Sequence, residues 1–372
     1  MRIEAVELRQ VALPLRFPFE TSFGRSETHA CLLLRVFAEG AEGWGEVPAE
    51  SAPLYNEEDV ETAWHVLERF IIPAVLGQEI AHPRDFPPLV ARIRRHHMAK
   101  AGMEAALWDL YARQRGQSLQ AALGGTQERL PVGVSLGIEP EVDILLDRIS
   151  GFLAQGYRRI KVKIKPGWDV AVVKEIRAVF GDIPLQVDAN SAYTLADAAV
   201  FRSLDGYDLL LIEQPLEEDD LIDHAALQAQ LRTPLCLDES IVSPSAARKA
   251  LEVRACRVIN IKAARVGGLS AAVTIHDLCR ARNIPVWCGG LLETGVGRAA
   301  NLALASLPNF TLPGDLSASD RYYEEDIIDP PVVLEADGTI RVPTSPGLGV
   351  TVRLDRVEAA STRTALFRSG PR

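Results

Sequence analysis

A barrel of alternating strands and helices, preceded by an α+β unit, is the α/β fold class that the sequence predicts, and three observations point to it. From about residue 131 eight short apolar runs alternate with amphipathic stretches: VGVSLGI, RIKVKI, LQVDAN, LLLIEQP, PLCLDES, VINIKAA, IPVWCGG and FTLPGD. That alternation is the pattern of a parallel sheet with helical crossovers. A charged residue then stands at or near the end of five consecutive runs, Lys163, Asp188, Glu213, Asp238 and Lys262, at intervals of 25, 25, 25 and 24 residues. One strand, one helix and two loops take about that many residues, and eight such units close into a barrel with its reactive groups at the C-terminal strand ends. A doubly wound open sheet is the alternative, but it binds at a switch point and does not collect charge from five successive strands. Third, the first part of the chain has a different texture, with strands followed by helices.

Residues 3–13 and 30–37 (ACLLLRVF) read as strands, and the stretches 57–76 and 97–115 have helical periodicity. In the second barrel run, RIKVKIKPG, lysines occupy every second position, so Lys161, Lys163 and Lys165 share one face while Ile160, Val162 and Ile164 share the other. On an edge strand such lysines would sit in water. In a parallel barrel the outer face is covered by helices, so Lys161 and Lys163 must point into the barrel mouth. Lys165, beside Pro166, lies past the strand end in solvent.

Composition sets the surroundings. The 372-residue chain is 47% hydrophobic, enough for a large core and, at roughly 100–200 residues per domain, for two domains. A net charge of −10 offers no general basic surface for nucleic acid, and no segment has the roughly 18 apolar residues of a membrane span. The start, MRIEAVELRQ, lacks an apolar signal-peptide core. Cys31, Cys236, Cys256, Cys279 and Cys288 form no CxxC pair and read as reduced thiols of a cytoplasmic protein. The expected partner is a small carboxylate substrate, with neither nucleic acid nor membrane, and a homo-oligomer is expected.

Asp188, Glu213 and Asp238 end the third, fourth and fifth runs, on strands about 5 Å apart. Three carboxylates so close repel one another unless a cation joins them. Three oxygen ligands without Cys or His suit Mg²⁺, with Mn²⁺ as a substitute, and leave positions for substrate oxygens. As helix caps the three acids would need a coincidence of register. Lys163 and Lys262, on the second and sixth strands of eight, stand across the barrel from each other with the metal between. A carboxylate held by the metal thus has its α-carbon flanked by an amine on each face, the arrangement for removing an α-proton and stabilising the enediolate. Lysine is a poor base at its usual pKa of about 10.4, but a nearby cation and the like charge of Lys161 favour the neutral amine at Lys163.

These residues resemble the enolase superfamily, muconate-lactonizing subgroup, and within it the o-succinylbenzoate synthase and N-acylamino acid racemase family. The likeness is carried by RIKVKIKPGWD, VDAN, LIEQP, CLDES, NIKAARVGG, PVWCGGLLETGVGRA, LPNFTLPGDLSASDRY and the early FETSFG. It implies a modified TIM-type (β/α)7β barrel over residues 126–324 and an α+β capping domain over residues 1–125, completed by the C-terminal segment from about 325 to 372. It also implies Lys163 and Lys262 as the catalytic pair, Asp188, Glu213 and Asp238 as metal ligands, and Ser135, Lys161 and Asn190 as pocket residues. Arg265 matches an arginine of the racemase-capable members and is placed with the substrate-binding residues. The loop from Phe19 to Gly24 is expected over the substrate. Ala263-Ala264 and Leu291 depart from the common pattern, and Leu291 touches the specificity region.

The activity implied is a Mg²⁺-dependent syn dehydration in menaquinone biosynthesis, with N-acylamino acid racemisation alongside it or as the main reaction. A muconate cycloisomerase or dipeptide epimerase relative is a further alternative. A barrel that merely binds a carboxylate leaves five aligned charges without a task. Two motifs compete. GVSLG at 133–137 fits G-x-S-x-G, with His224 and His276 as paper partners, yet the strand runs through the serine instead of ending before it. GVGRAA at 295–300 fits a dinucleotide fingerprint with Asp315 downstream, but no βαβ unit surrounds it. His96-His97, at a helix start, reads as surface or interface.

Overall fold

The computed structural model describes residues 1–22 and 24–370. The chain begins with an antiparallel hairpin of Ala5–Glu20 and Arg25–Ala38, to which Ala41–Val47 adds a third strand. Glu39 and Gly40 make the connecting two-residue turn, both with positive φ (54° and 75°), which matches the twist of the strands they join. The last strand of the chain, Ser361–Arg368, pairs antiparallel with the first, so the sheet order is last, first, second, third.

The third strand, AEGWGEV, was not expected, because glycine is a poor strand former. Its glycines serve packing. The helix His97–Gln114 lies so close that a Cβ on Gly45 would stand 2.0 Å from the Gly102 carbonyl oxygen. This helix is buried nearly all round, with the sheet on one side and the barrel on the other. The barrel contact includes Glu104, which accepts the Ser270 N–H at 3.1 Å. The 57–76 stretch is helical from Val60 to Val75, with one π turn at Leu67–Ile71.

Seven parallel strands follow in sequential order as one curled sheet: Gly133–Leu136, Arg159–Lys163, Leu185–Asp188, Ile212–Glu213, Leu235–Leu237, Val258–Ile261 and Val286–Cys288. The eighth run, FTLPGD, is not a regular strand. It closes the barrel through single bridges, Phe310 beside Val286 and Gly314 beside Val132, with Asp315 N donating to Cys288 O and Gly133 N to Gly314 O, both at 2.9 Å. Pro313 has no N–H to give a ladder, which explains the difference from the expected eighth strand. Outward residues such as Ile160, Val162, Val187 and Ile259 join the main core under the helices. Inside, Leu211, Cys236, Val258 and Trp287 form a small apolar floor.

No helix among the described residues is long and apolar enough to cross a membrane. All five cysteines are free and buried.

Gly45→Ala should separate the cap sheet from its helix, since the new methyl group would meet helix backbone at the Gly102 carbonyl and the Ala106 nitrogen. Overpacking of this kind costs about 1–3 kcal/mol. A lower denaturant midpoint is the expected result, and an unchanged midpoint would contradict the packing argument.

Candidate active site

Register places the charged residues in tiers. Ser135 lies level with Lys161, and Lys161 with Gln186; one tier higher, Lys163 lies level with Asp188, and Asp188 with Glu213. Above the Trp287 floor, the Lys161 ammonium stands 4.9 Å from the indole centre. It donates to Asp315 at 2.7 Å, Glu213 at 3.0 Å and Asp188 at 3.2 Å. Burial alone would lower the Lys161 pKa, but Asp315, Glu213 and Asp188 outweigh it and hold the ammonium above its ordinary value. Lys161 is therefore a fixed cation.

Lys163 donates to Asp188 at 2.6 Å and to the Asn190 side-chain oxygen at 2.7 Å. Lys262 donates to Asp238 at 2.8 Å and to the Tyr55 hydroxyl at 3.1 Å. Its pKa is also raised: burial pulls down, while Tyr55, Glu239, Glu213 and Asp188 push up. The Lys262 stem passes Gly289, where a Cβ would come within 2.7 Å of its Cε and 2.4 Å of the Asn260 side-chain oxygen. Only glycine leaves that path open.

Asp188, Glu213 and Asp238 are completely buried. Burial disfavours the Asp188 carboxylate, yet Lys163 and Lys161 draw its pKa below the ordinary range, whereas burial and the Asp188 charge push Glu213 up. Glu213 also accepts from Asn260 Nδ2 at 2.8 Å. None of the three serves as a helix cap: Asp188 Oδ1 accepts the nearby Asn190 N–H, while Asp169, Asp220 and Ser243 cap the crossover helices. As donors the three carboxylates offer only oxygen, which fits a hard divalent cation.

Ser135, Lys161, Lys163, Asn190 and Lys262 all line one cavity of about 300 Å³ between cap and barrel. Its upper wall comes from the cap, including Phe19, Thr21 and Gly24 of the first hairpin and Glu50, Leu54 and Tyr55 of the loop after the third strand. Ser22 Oγ donates to Asn190 O at 3.3 Å and Ile138 N to Glu20 O at 3.1 Å, tying that hairpin to the barrel. Phe23, within the expected Phe19–Gly24 loop, lies outside the described residues.

Arg265 departs from its expected place. It does not line this cavity but stands behind it, completely enclosed, paired with Asp238 and donating to Ile241 O at 2.9 Å, Asn260 O at 2.7 Å and the Tyr55 hydroxyl at 3.2 Å. It braces the groups around Lys262. Lys161 is itself surrounded by three carboxylates, Asp315, Glu213 and Asp188. Lys165 is half-exposed past the strand, as expected.

The competing motifs dissolve. The strand Gly133–Leu136 runs through Ser135 and the next helix starts only at Val142. His224 is engaged with Asp220 O and the Leu216 N–H, and His276 with Asp277 and the Asn309 N–H. Asp315 pairs with Arg159 and Lys161.

Two family models match the chain: Enolase C-terminal domain-like over residues 145–356, and Mandelate racemase / muconate lactonizing enzyme, N-terminal domain, over residues 3–124. The chain belongs to the enolase superfamily. Enzymes of the enolase superfamily are Mg²⁺-dependent. The o-succinylbenzoate synthase of Geobacillus kaustophilus is 54% identical over 368 residues, 99% of this chain and 98% of that one. An N-succinylamino acid racemase from an Amycolatopsis species is 51% identical over 351 residues, 94% and 95% of the two chains. A solved enolase-superfamily member from Listeria innocua superposes with a TM-score of 0.96 at 40% identity over 100% of both chains. A dipeptide epimerase from Cytophaga hutchinsonii, solved with Mg and a dipeptide, gives 0.91 at 25% identity over 98% of this chain and 100% of that one.

Sequence reasoning missed Tyr55, Glu239, Asp315 and Asn260 as parts of this enolase-superfamily site. Glu239 and Asp315 sit at strand ends and followed the same positional signal; Tyr55 arrives from the cap and had none. Glu239 is the most informative. Its Oε1 accepts from Asn190 Nδ2 at 2.7 Å while the Asn190 oxygen accepts from Lys163 at 2.7 Å, so the one amide is held at both ends. Burial, then Asp188, pushes the Glu239 pKa to about 7. Glu239→Leu should release the Asn190 amide and slow any reaction that uses Lys163 by about tenfold or more, the usual cost of a lost orienting partner. Glu239→Gln, which can still accept from Asn190, should restore most of it. Equal turnover numbers for Leu and Gln would remove Glu239 from this role.

Proposed function

We propose that this chain is an o-succinylbenzoate synthase, a metal-dependent lyase of menaquinone biosynthesis, which also racemises N-succinylamino acids. The observation that carries the reading is the pair of ammonium groups, Lys163 and Lys262, from the second and sixth strands, lining one cavity above three buried carboxylates. The named relatives support it: synthases from Geobacillus and Bacillus subtilis at 54% and 47% identity, and racemases from Amycolatopsis and Thermus thermophilus at 51% and 50%.

Asp188, Glu213 and Asp238 would hold Mg²⁺, with Mn²⁺ as a substitute; when bound, the cation polarises the substrate carboxylate and takes up the negative charge that develops on it. Asp188, Glu213, Asp238 and Asp315 are paired with Lys161, Lys163, Lys262, Arg159 and Arg265, so opposite charges face one another throughout the site. A divalent ion held by the three carboxylates would add positive charge, which favours an anionic substrate. With Asp188 and Asp238 engaged by the cation, Lys163 would lose its carboxylate partner and give up one proton to solvent, which leaves it a neutral amine. Lys163 then removes the α-proton and, once protonated, passes a proton to the departing hydroxide on the same face. Lys262 stays an ammonium in this reaction and stabilises the carbanion by its charge. In racemisation Lys262 instead exchanges a proton with the opposite face. Lys161 and Ser135 hold the substrate, and Arg265 keeps Tyr55 and Asp238 placed around Lys262. A racemase as the main activity is the second reading, favoured by the presence of a lysine on each side of the cavity. Assay of the purified protein with the cyclohexadiene carboxylate and with N-succinylamino acids decides between them.

Excess chelator should abolish both activities and Mg²⁺ should restore them. Full turnover in chelator would refute the metal-dependent reading.

Lys163→Ala should lower dehydration and racemisation by about 10²- to 10⁴-fold, the usual worth of a general base. In deuterated water, Lys163→Ala and Lys262→Ala should each still exchange the α-proton of one N-succinylamino acid enantiomer, opposite in the two variants. Exchange of the same enantiomer by both would place the two lysines on one face and defeat the mechanism.

A further inference from the structure

At the seam between cap and barrel, remote from the acidic triad in sequence, lies a cluster with a different set of donors. His29 and Cys31, two residues apart on the second cap strand, point to the same face. Glu46 sits opposite Leu33 on the third strand and so lies diagonal to Cys31. One donor atom from each of the three falls within 4.8 Å of the others. His29 Nε2 stands 3.6 Å from Glu46 Oε1. Both His29 ring nitrogens lack a hydrogen-bond partner, although the residue is only 2% exposed. A buried imidazole with neither nitrogen satisfied is rare and costs free energy, so it calls for a ligand.

We infer that His29, Cys31 and Glu46 form a second metal site, for a borderline divalent ion of the zinc type. One nitrogen, one sulfur and one carboxylate oxygen are the donors such an ion takes, and they differ from the all-oxygen triad that suits Mg²⁺. The surroundings are negative: burial first, then Glu46, Glu293 and Asp326, keeps Cys31 a neutral thiol in the absence of a cation. On binding, the sulfur–metal bond forms as the S–H bond breaks, the proton leaves to water, and no electron is transferred. Glu46 already accepts from Thr294 N at 3.0 Å, Thr294 Oγ at 2.5 Å and Gly297 N at 2.9 Å. An ion here therefore fastens the cap to the segment LLETG, whose Leu291 and Leu292 line the substrate cavity.

The test is a Co²⁺ titration of the full chain in excess Mg²⁺, read by the near-ultraviolet thiolate-to-Co²⁺ charge-transfer band that all-oxygen sites do not give. The wild type should develop the band to one equivalent. Cys31→Ser should abolish it, and His29→Gln should weaken Co²⁺ binding at least tenfold. No band in the wild type, or a band that persists in Cys31→Ser, overturns the site. Should the serine variant fail to fold, X-ray absorption of the wild-type Co²⁺ complex decides: one sulfur with nitrogen and oxygen neighbours supports the assignment, whereas a shell of oxygen alone, or of two or more sulfurs, refutes it.

Discussion

A single buried ammonium holds the barrel mouth together. Lys161 reaches Asp188 on the third strand, Glu213 on the fourth and Asp315 on the closing segment, while standing on the second strand itself. Carboxylates taken out of water cost several kcal/mol each unless they are paired and hydrogen-bonded. Lys161 supplies that pairing to three of them at once, and Arg159, two residues earlier on the same face, supplies a second cation to Asp315. The ion pairs of Lys163 and Lys262 complete the set. The mouth is thus an assembly of paired opposite charges on strands that an apolar core supports from outside.

The strand ends are shaped for this purpose. Asn190 and Ser191, two and three residues past Asp188, and Gln214, next to Glu213, have positive φ (43°, 62° and 36°), a conformation that non-glycine residues adopt at a cost of about 1–3 kcal/mol. The expense is met locally. Gln214 accepts from Asp238 N at 3.0 Å and donates to Ser240 Oγ at 2.8 Å, stitching the fourth strand end to the fifth. Asn190 is held between Glu239 and Lys163. Such fixed positions place the amines and carboxylates before any substrate arrives, which is how a preorganised site gains its advantage over water.

Much of this was legible in the sequence because one residue per βα unit repeats the same message. The 25-residue spacing from Lys163 to Lys262 identified the barrel and the five charged strand ends together, since strand-end position and chemistry coincide in this fold. Where the message was not periodic it was lost. Ala41–Val47 was invisible because its glycines are selected for contact with a helix, not for strand propensity. Tyr55 belongs to a cap loop, and its approach to Lys262 depends on how two domains dock. Arg265 was legible as a neighbour of Lys262 but not as a buried brace, because a short helical turn, Ala263–Val266, carries it behind the strand end. The pairing of Lys161 with Asp315 joins residues 154 positions apart, and no local pattern signals it.

The cap sheet takes its outermost strand, Ser361–Arg368, from the far end of the chain, beside Ala5–Val11. Strand Ala5–Glu20 is made early and waits for its outer neighbour while residues 21–360 are synthesised. Throughout synthesis it presents a long row of unpaired backbone groups, the kind of edge on which nascent chains stick to one another. Arg9, whose guanidinium pairs with Glu7 along this edge, puts charge where an unwanted strand would add. The sheet over the cavity is therefore complete only once Ser361–Arg368 has joined it, and a chain cut before residue 361 would yield a barrel under an open, adhesive lid.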